Sequence, residues 1–155
     1  MSHQQLIQTF YESFARGDAA GMVACYHDHI VFHDPAFGEL KGNDAKNMWR
    51  MLIERSKGEI KITFSDVRAD ETTGSANWVA EYKFAQTGRD VINRISATFE
   101  FRDGKIIRHT DVFDLWKWSR QALGWKGWLL GWSSLMKKQI RKQTASLLKA
   151  YTGKE

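Results

Sequence analysis

The spacing of apolar residues changes period near Glu59, and that change restricts the chain to folds in which helices and a two-faced sheet share one core. Before it, Leu6, Ile7, Phe10 and Phe14 recur at helical spacing, and Met48, Trp49, Met51 and Leu52 fall in a second helical stretch. After it, Ile60, Ile62 and Phe64 alternate with polar residues. So do Trp78, Ala80, Tyr82 and Phe84, and then Val91, Ile95, Ala97, Phe99 and Phe101. Helices followed by a run of strands predict an α+β domain, with an antiparallel sheet and helices gathered on one face.

Local signals punctuate this pattern. Ser2 is placed to cap the first helix, Gly17 to end it, and Asp18 to cap a short helix over Ala19 to Tyr26. Ile30 to Asp34 reads as a strand stopped by Pro35. Phe37 to Gly42 reads as a loop, with Asn43 or Asp44 capping the next helix. Gln86-Thr87-Gly88-Arg89 and Arg102-Asp103-Gly104-Lys105 are hairpin turns, and Ile106 to Phe113 is the last strand. Alternation puts Val67 and Val112 on the outer face of the sheet, where a homodimer is expected to form.

The net charge of +5 is unevenly spread over the 155 residues. Residues 1–114 carry 14 basic and 17 acidic side chains, whereas residues 115–155 carry 9 basic and 1 acidic. A nucleic-acid binder spreads basic residues over its folded face, so no nucleic-acid partner is expected. Five of the seven tryptophans, Trp116, Trp118, Trp125, Trp128 and Trp132, also lie in the tail. The expected organisation is therefore a domain over 1–114 and a basic, Trp-rich helical extension over 115–155, ordered and packed on that domain. Contact of the tail with a membrane surface is the lesser reading. Cys25 has no partner for an intrachain disulfide and suits a reducing cytoplasm. Neither a leader segment nor an apolar run of bilayer length is read from the sequence.

Alternation also selects candidate functional residues. His109 and Asp111 share one side of the last strand with Ile107 and Phe113, and Asn93 falls among Val91, Ile95 and Ala97. A buried histidine beside a carboxylate is suited to proton transfer, because the carboxylate fixes the ring tautomer. Asp34 has two readings, a second carboxylate of the site or a turn residue bonded to backbone N–H before Gly38. His27, His29 and His33 do not fall on one face with Asp34, and no metal or cofactor is expected. The glycines form no phosphate-binding fingerprint.

The segment Val31-Phe32-His33-Asp34-Pro35-Ala36-Phe37-Gly38 resembles ketosteroid isomerases and SnoaL-like polyketide cyclases of the nuclear transport factor 2-like superfamily. The resemblance implies a cone-shaped α+β fold whose curved antiparallel sheet and helices enclose one pocket. It implies that Asp34 matches the isomerase general base. The isomerase tyrosine and second aspartic acid are matched by Phe10 and Ala97, with Tyr11 expected to point elsewhere, so steroid isomerisation is not expected. Gly104 to Asp114 resembles the last strand of limonene epoxide hydrolases and SnoaL-like cyclases, which implies acid–base chemistry at Asp111. The Arg-x-Asp pair of those hydrolases has no counterpart, since Glu81 faces away. Phe113 to Gly124 resembles a bacterial SnoaL-like subgroup with a Trp-rich extension. The expected protein is then a cofactor-free isomerase, cyclase, hydratase or hydrolase acting on a small apolar molecule. Asp111 and His109 would be its acid–base pair, Asp34 a second carboxylate and Asn93 a polar anchor, with Trp78, Tyr82 and Phe10 against the substrate. The alternative is a non-catalytic module that binds a hydrophobic ligand or forms a dimer.

Overall fold

The computed structural model describes residues 1–124 and 134–153. Its elements in chain order are α1 (His3–Ala15), α2 (Ala19–Ala24), β1 (Tyr26–Asp34), β2 (Gly38–Lys41), α3 (Asn43–Ser56), β3 (Lys61–Ala69), β4 (Thr73–Lys83), β5 (Asp90–Arg102), β6 (Lys105–Val112), α4 (Leu115–Leu123) and α5 (Ser134–Thr152). Ser2 and Gln5 close a reciprocal cap on α1, each side chain accepting from the other's backbone N–H. Asp18 caps α2 by accepting from the Gly21 N–H at 2.9 Å.

The strands form one curved, unclosed sheet in the order β2-β1-β6-β5-β4-β3. Every seam is antiparallel except the one where β1 and β6 run parallel. α3 carries the chain from β2 to the far edge, and the meander β3 to β6 then returns to lie beside β1. The β5–β6 turn needs left-handed backbone at both central positions, and Asp103 (φ 52°) and Gly104 (φ 73°) supply it.

Four local expectations are corrected. α2 stops at Ala24, because Tyr26 pairs with Ile106 and opens β1. The expected loop at 37–42 contains β2, because Asp34 accepts the Phe37 N–H and folds the chain back so that Gly38 pairs with Asp34. α3 is entered through Gly42 without a side-chain cap, since the Gly42 N–H is held by the Ile30 carbonyl at 2.8 Å. Val67 packs on the core rather than facing outward. A bulge between Ser65 and Arg68, with Asp66 at φ 56°, slips the alternation by one residue there.

α1 lies across β3 and β4, and its buried stripe is wide: Leu6, Ile7, Phe10, Tyr11 and Phe14 all reach the core. The described tail is tied to the body at two places. Asp114 caps α4, which lies on β5. Arg89 Nε and Thr87 Oγ1 donate to the Gln121 and Ala122 carbonyls, and Trp118 Nε1 donates to Tyr82 OH at 2.7 Å. α5 packs against α3, buries Ile140 and Leu148, and donates from Thr144 Oγ1 to the Ala36 carbonyl at 2.9 Å. Trp125, Trp128 and Trp132 lie outside the described residues. Among the described residues, no helix is long and apolar enough to cross a membrane.

Candidate functional site

The parallel seam builds the site. It registers Phe32 against His109 and His33 against Thr110. Two residues along each strand restore the same face, so Asp34 comes to lie beside Asp111 on the buried side. On the other flank, β5 sets Phe99 against His109 and Ala97 against Asp111. His109 is fully buried, Asp111 is 2% exposed and Asp34 8%. Strict alternation along β6 would place Ile107 on the same side as His109 and Asp111. In fact Ile106 is the buried neighbour, because a bulge at Ile107 separates the Phe101–Ile106 and Glu100–Arg108 pairs.

These groups belong to one buried hydrogen-bond chain. Trp49 Nε1 donates to Tyr26 OH at 2.8 Å, and Tyr26 OH lies 2.7 Å from His109 Nδ1. His109 Nε2 lies 2.9 Å from Asp111 Oδ1, which also accepts from Trp78 Nε1 at 3.3 Å. The donor count orients the chain. Tyr26 accepts from Trp49, so its own proton is best spent on Nδ1, which leaves the proton of a neutral His109 on Nε2, donated to Asp111. Aromatic rings enclose the histidine: Phe99 at 4.5 Å, Phe32 at 5.2 Å, Phe10 at 5.5 Å, and Trp49 stacked at 6.0 Å. Burial pushes the Tyr26 hydroxyl well above the usual phenol range.

Asp34 makes the turn bond of its second reading, and its side chain also lies in the interior beside Asp111. Its Oδ1 accepts from Phe37 N–H, and the residue is nonetheless buried. Burial raises its carboxyl to about 7, with the Phe37 N–H opposing, the charge of Asp111 adding, and the Arg141 guanidinium of α5 opposing weakly. Two carboxyl groups thus share an apolar interior, and one of them changes protonation near neutral pH.

Tyr11 corrects an expectation. It points into the core, fully buried, against Phe64, Trp78 and Phe99. A helix cradled by a curved sheet is covered over a wide arc, so adjacent Phe10 and Tyr11 are both enclosed. Among the described residues the Tyr11 hydroxyl has no hydrogen-bond partner. Burial, and next the charge of Asp111, push it well above the usual phenol range.

The remaining candidates separate. Phe10 and Trp78 join the cluster, Phe10 stacking on Tyr26 at 5.3 Å. Asn93 is half-buried opposite Ala80, and Tyr82 is half-buried beneath Trp118 of α4. Each is four residues along its strand from the part of the cluster it shares a strand with or pairs against, Ala97 for Asn93 and Trp78 for Tyr82, or about 13 Å. His27 Nε2 lies 3.3 Å from Asp103, and Glu81 pairs with Lys61 on the outer face at 3.8 Å. Cys25 is buried at the end of α2, and burial raises its thiol to about 11. Sequence reasoning missed Tyr26, Trp49 and Tyr11. Tyr26 was assigned to a helix, and nothing local in the sequence shows that Trp49 would reach it from α3.

A curved, unclosed six-stranded sheet, with helices against it and a polar cluster buried on that side, is the nuclear transport factor 2-like α+β architecture. Within that class the chain belongs to the SnoaL-like domain family, whose model matches residues 7–109. Three solved structures illustrate the likeness. A candidate polyketide cyclase from Xanthomonas campestris pv. campestris is 24% identical with a TM-score of 0.62, over 77% of this chain and 98% of that one. A protein from a soil-derived mobile gene cassette is 19% identical with a TM-score of 0.65, over 77% and 96%. An epoxide hydrolase of M. tuberculosis, similar to limonene epoxide hydrolase, is 19% identical with a TM-score of 0.58, over 85% and 92%. At these identities the likeness is one of fold. No curated protein matches the chain.

Proposed function

We propose that this SnoaL-like protein is a cofactor-independent acid–base catalyst, an isomerase, cyclase, hydratase or hydrolase, acting on a small apolar molecule. The observation that carries the reading is the pair of carboxyl groups, Asp34 and Asp111, side by side on the parallel seam in an aromatic interior. A group that titrates near neutral pH both takes and returns protons efficiently, and Asp34, at about 7, is that group. Asp111 is held by His109 and Trp78, so His109 acts through Asp111 rather than on substrate directly. The Tyr11 hydroxyl, without a hydrogen-bond partner among the described residues, is available to donate to an oxygen that gains charge. The substrate would lie between Asp111 and the Asn93–Tyr82 end of the sheet, under α4. The active unit would be a cytoplasmic homodimer joined through the outer face.

A second reading is a module that binds an apolar ligand without chemistry. Its support is that both ring nitrogens of His109 are already engaged, as in a purely structural network.

Proton exchange separates the two. The purified protein is incubated in deuterated water with a series of small apolar ketones and 1,3-diketones, and loss of the α-proton signal is followed by NMR. Wild type should accelerate exchange of at least one ketone. Asp34→Asn should reduce that rate roughly 100-fold or more, and Asp111→Asn, which keeps the oxygen acceptor for His109 and Trp78, should also reduce it. Exchange unaffected by either substitution, or no exchange by wild type despite saturable ketone binding, leaves the module reading.

A further inference from the structure

The hydrogen-bond chain treats the two buried carboxyl groups unequally. Asp111 Oδ1 meets His109 Nε2 at 2.9 Å and Trp78 Nε1 at 3.3 Å, whereas Asp34 Oδ1 accepts the backbone N–H of Phe37. What His109 can offer Asp111 is decided behind the ring. Tyr26, the first residue of β1 and 3% exposed, meets Nδ1 at 2.7 Å through its hydroxyl. Trp49 Nε1 can only donate, and it donates to the same hydroxyl oxygen at 2.8 Å. Were Nδ1 to carry a proton, in the other tautomer or in the imidazolium, the Tyr26 oxygen would receive two donors. Its own proton would then have no acceptor among the described residues. A buried hydroxyl proton without an acceptor is costly, so the Trp49–Tyr26 arm opposes a proton on Nδ1. Among the described residues the polar partners of the ring are Tyr26 and Asp111. Its other neighbours are aromatic: Phe10 of α1, Phe32 of β1, Trp49 of α3 and Phe99 of β5.

We propose that Tyr26, backed by Trp49, is a positioning residue of the acid–base site, holding His109 as the neutral Nε2–H donor to Asp111. The proposal rests on the reading of Asp34 and Asp111 as the carboxyl pair of that site. The effect of Tyr26 passes through His109 rather than through contact with substrate. A neutral ring leaves the charge of Asp111 uncancelled, and that charge helps to keep the proton on Asp34. An imidazolium at the same place would cancel it. Tyr26 thereby maintains the difference between the two carboxyl groups, and such a difference is what lets one of a pair give a proton while the other takes one.

The test uses the full chain, isotope-labelled, in NMR. Long-range nitrogen–proton spectra show which ring nitrogen of His109 carries a proton, and the carboxyl carbon of Asp34 reports its charge; neither measurement needs a substrate. Wild type should show one ring proton, on Nε2, at neutral pH, and Asp34 should titrate at about 7. Tyr26→Phe keeps the aromatic ring and removes the hydroxyl. It should admit a second proton to the His109 ring under conditions where wild type carries one, and move the Asp34 titration, with the pH profile of ketone exchange, to lower pH. Wild-type ring protonation and an unmoved Asp34 titration in the variant overturn the proposal. If the variant does not fold, wild type decides alone, and a proton on Nδ1 at neutral pH overturns it. The expected spectra from a wild type that exchanges no ketone uphold the control of His109 by Tyr26 and overturn the acid–base reading instead.

Discussion

Asp34 shows how the fold role of one residue and its charge state are linked. Its carboxyl organises the turn into β2 by accepting the Phe37 N–H, and its burial there disfavours its charge. The consequence for stability has a definite sign. The folded carboxyl holds its proton up to about 7, whereas an unfolded aspartate releases it near the ordinary value of 3.8. Between those limits the folded state binds the extra proton, so stability falls as pH rises. The contribution is fully present below about pH 4 and lost above about pH 7, and amounts to at most about 4 kcal/mol. Thermal melts of wild type and Asp34→Asn across this range should show the difference. The variant should lack that part of the slope, and identical slopes would show that Asp34 is not buried as described.

At the scale of elements, the close approach of α1 to the sheet depends on one small residue. Gly74 is the second residue of β4, and a Cβ added there would stand 2.8 Å from Ile7 Cδ1 and 3.0 Å from both the Arg68 carbonyl and Phe101 Cζ. The isoleucine end can shift, but a backbone carbonyl and a packed ring yield less. Gly74→Ala should therefore destabilise the protein by about 1–3 kcal/mol through overpacking, read as a lower urea midpoint with an unchanged slope. An unaltered midpoint would mean that α1 sits farther from β4. The bulges act at the same scale. Each slips the two-residue alternation by one position, which is why Val67 enters the core and Ile106 replaces Ile107 there.

For the whole molecule, the outer sheet face is the surface to explain. It exposes Val112 at 61% and Ile92 at 44%, and an open groove of about 630 Å³ crosses it, with Arg68, Ser75, Thr98 and Arg108 in its walls. A homodimer joined here would bury roughly 1,200–2,000 Å² in total if it is of ordinary size. Wild type should then sediment as a dimer at micromolar concentration. Val112→Asp should give a folded monomer, because an unpaired carboxylate in the centre of such an interface is costly. A wild-type monomer under those conditions removes the dimer from the proposal.

Much of this protein was legible in one dimension. The change of period at Glu59 gave the α+β order, because buried faces must repeat at 3.6 residues in helices and at two in strands. The same alternation turned His109 and Asp111 inward, and Ser2, Asp18 and the Asp103-Gly104 turn acted through short-range bonds that any chain with those residues can make. What the sequence could not contain was the parallel seam. β1 and β6 are some eighty residues apart, and only the return of the meander sets Asp34 beside Asp111 and Tyr26 within reach of His109. Trp49 reaches Tyr26 from a helix, and Tyr11 is enclosed because the sheet curves around α1. Periodicity reports which way a side chain faces relative to its own element. Which other side chain it then meets is set by sheet order, bulges and curvature, and those are properties of the assembled core.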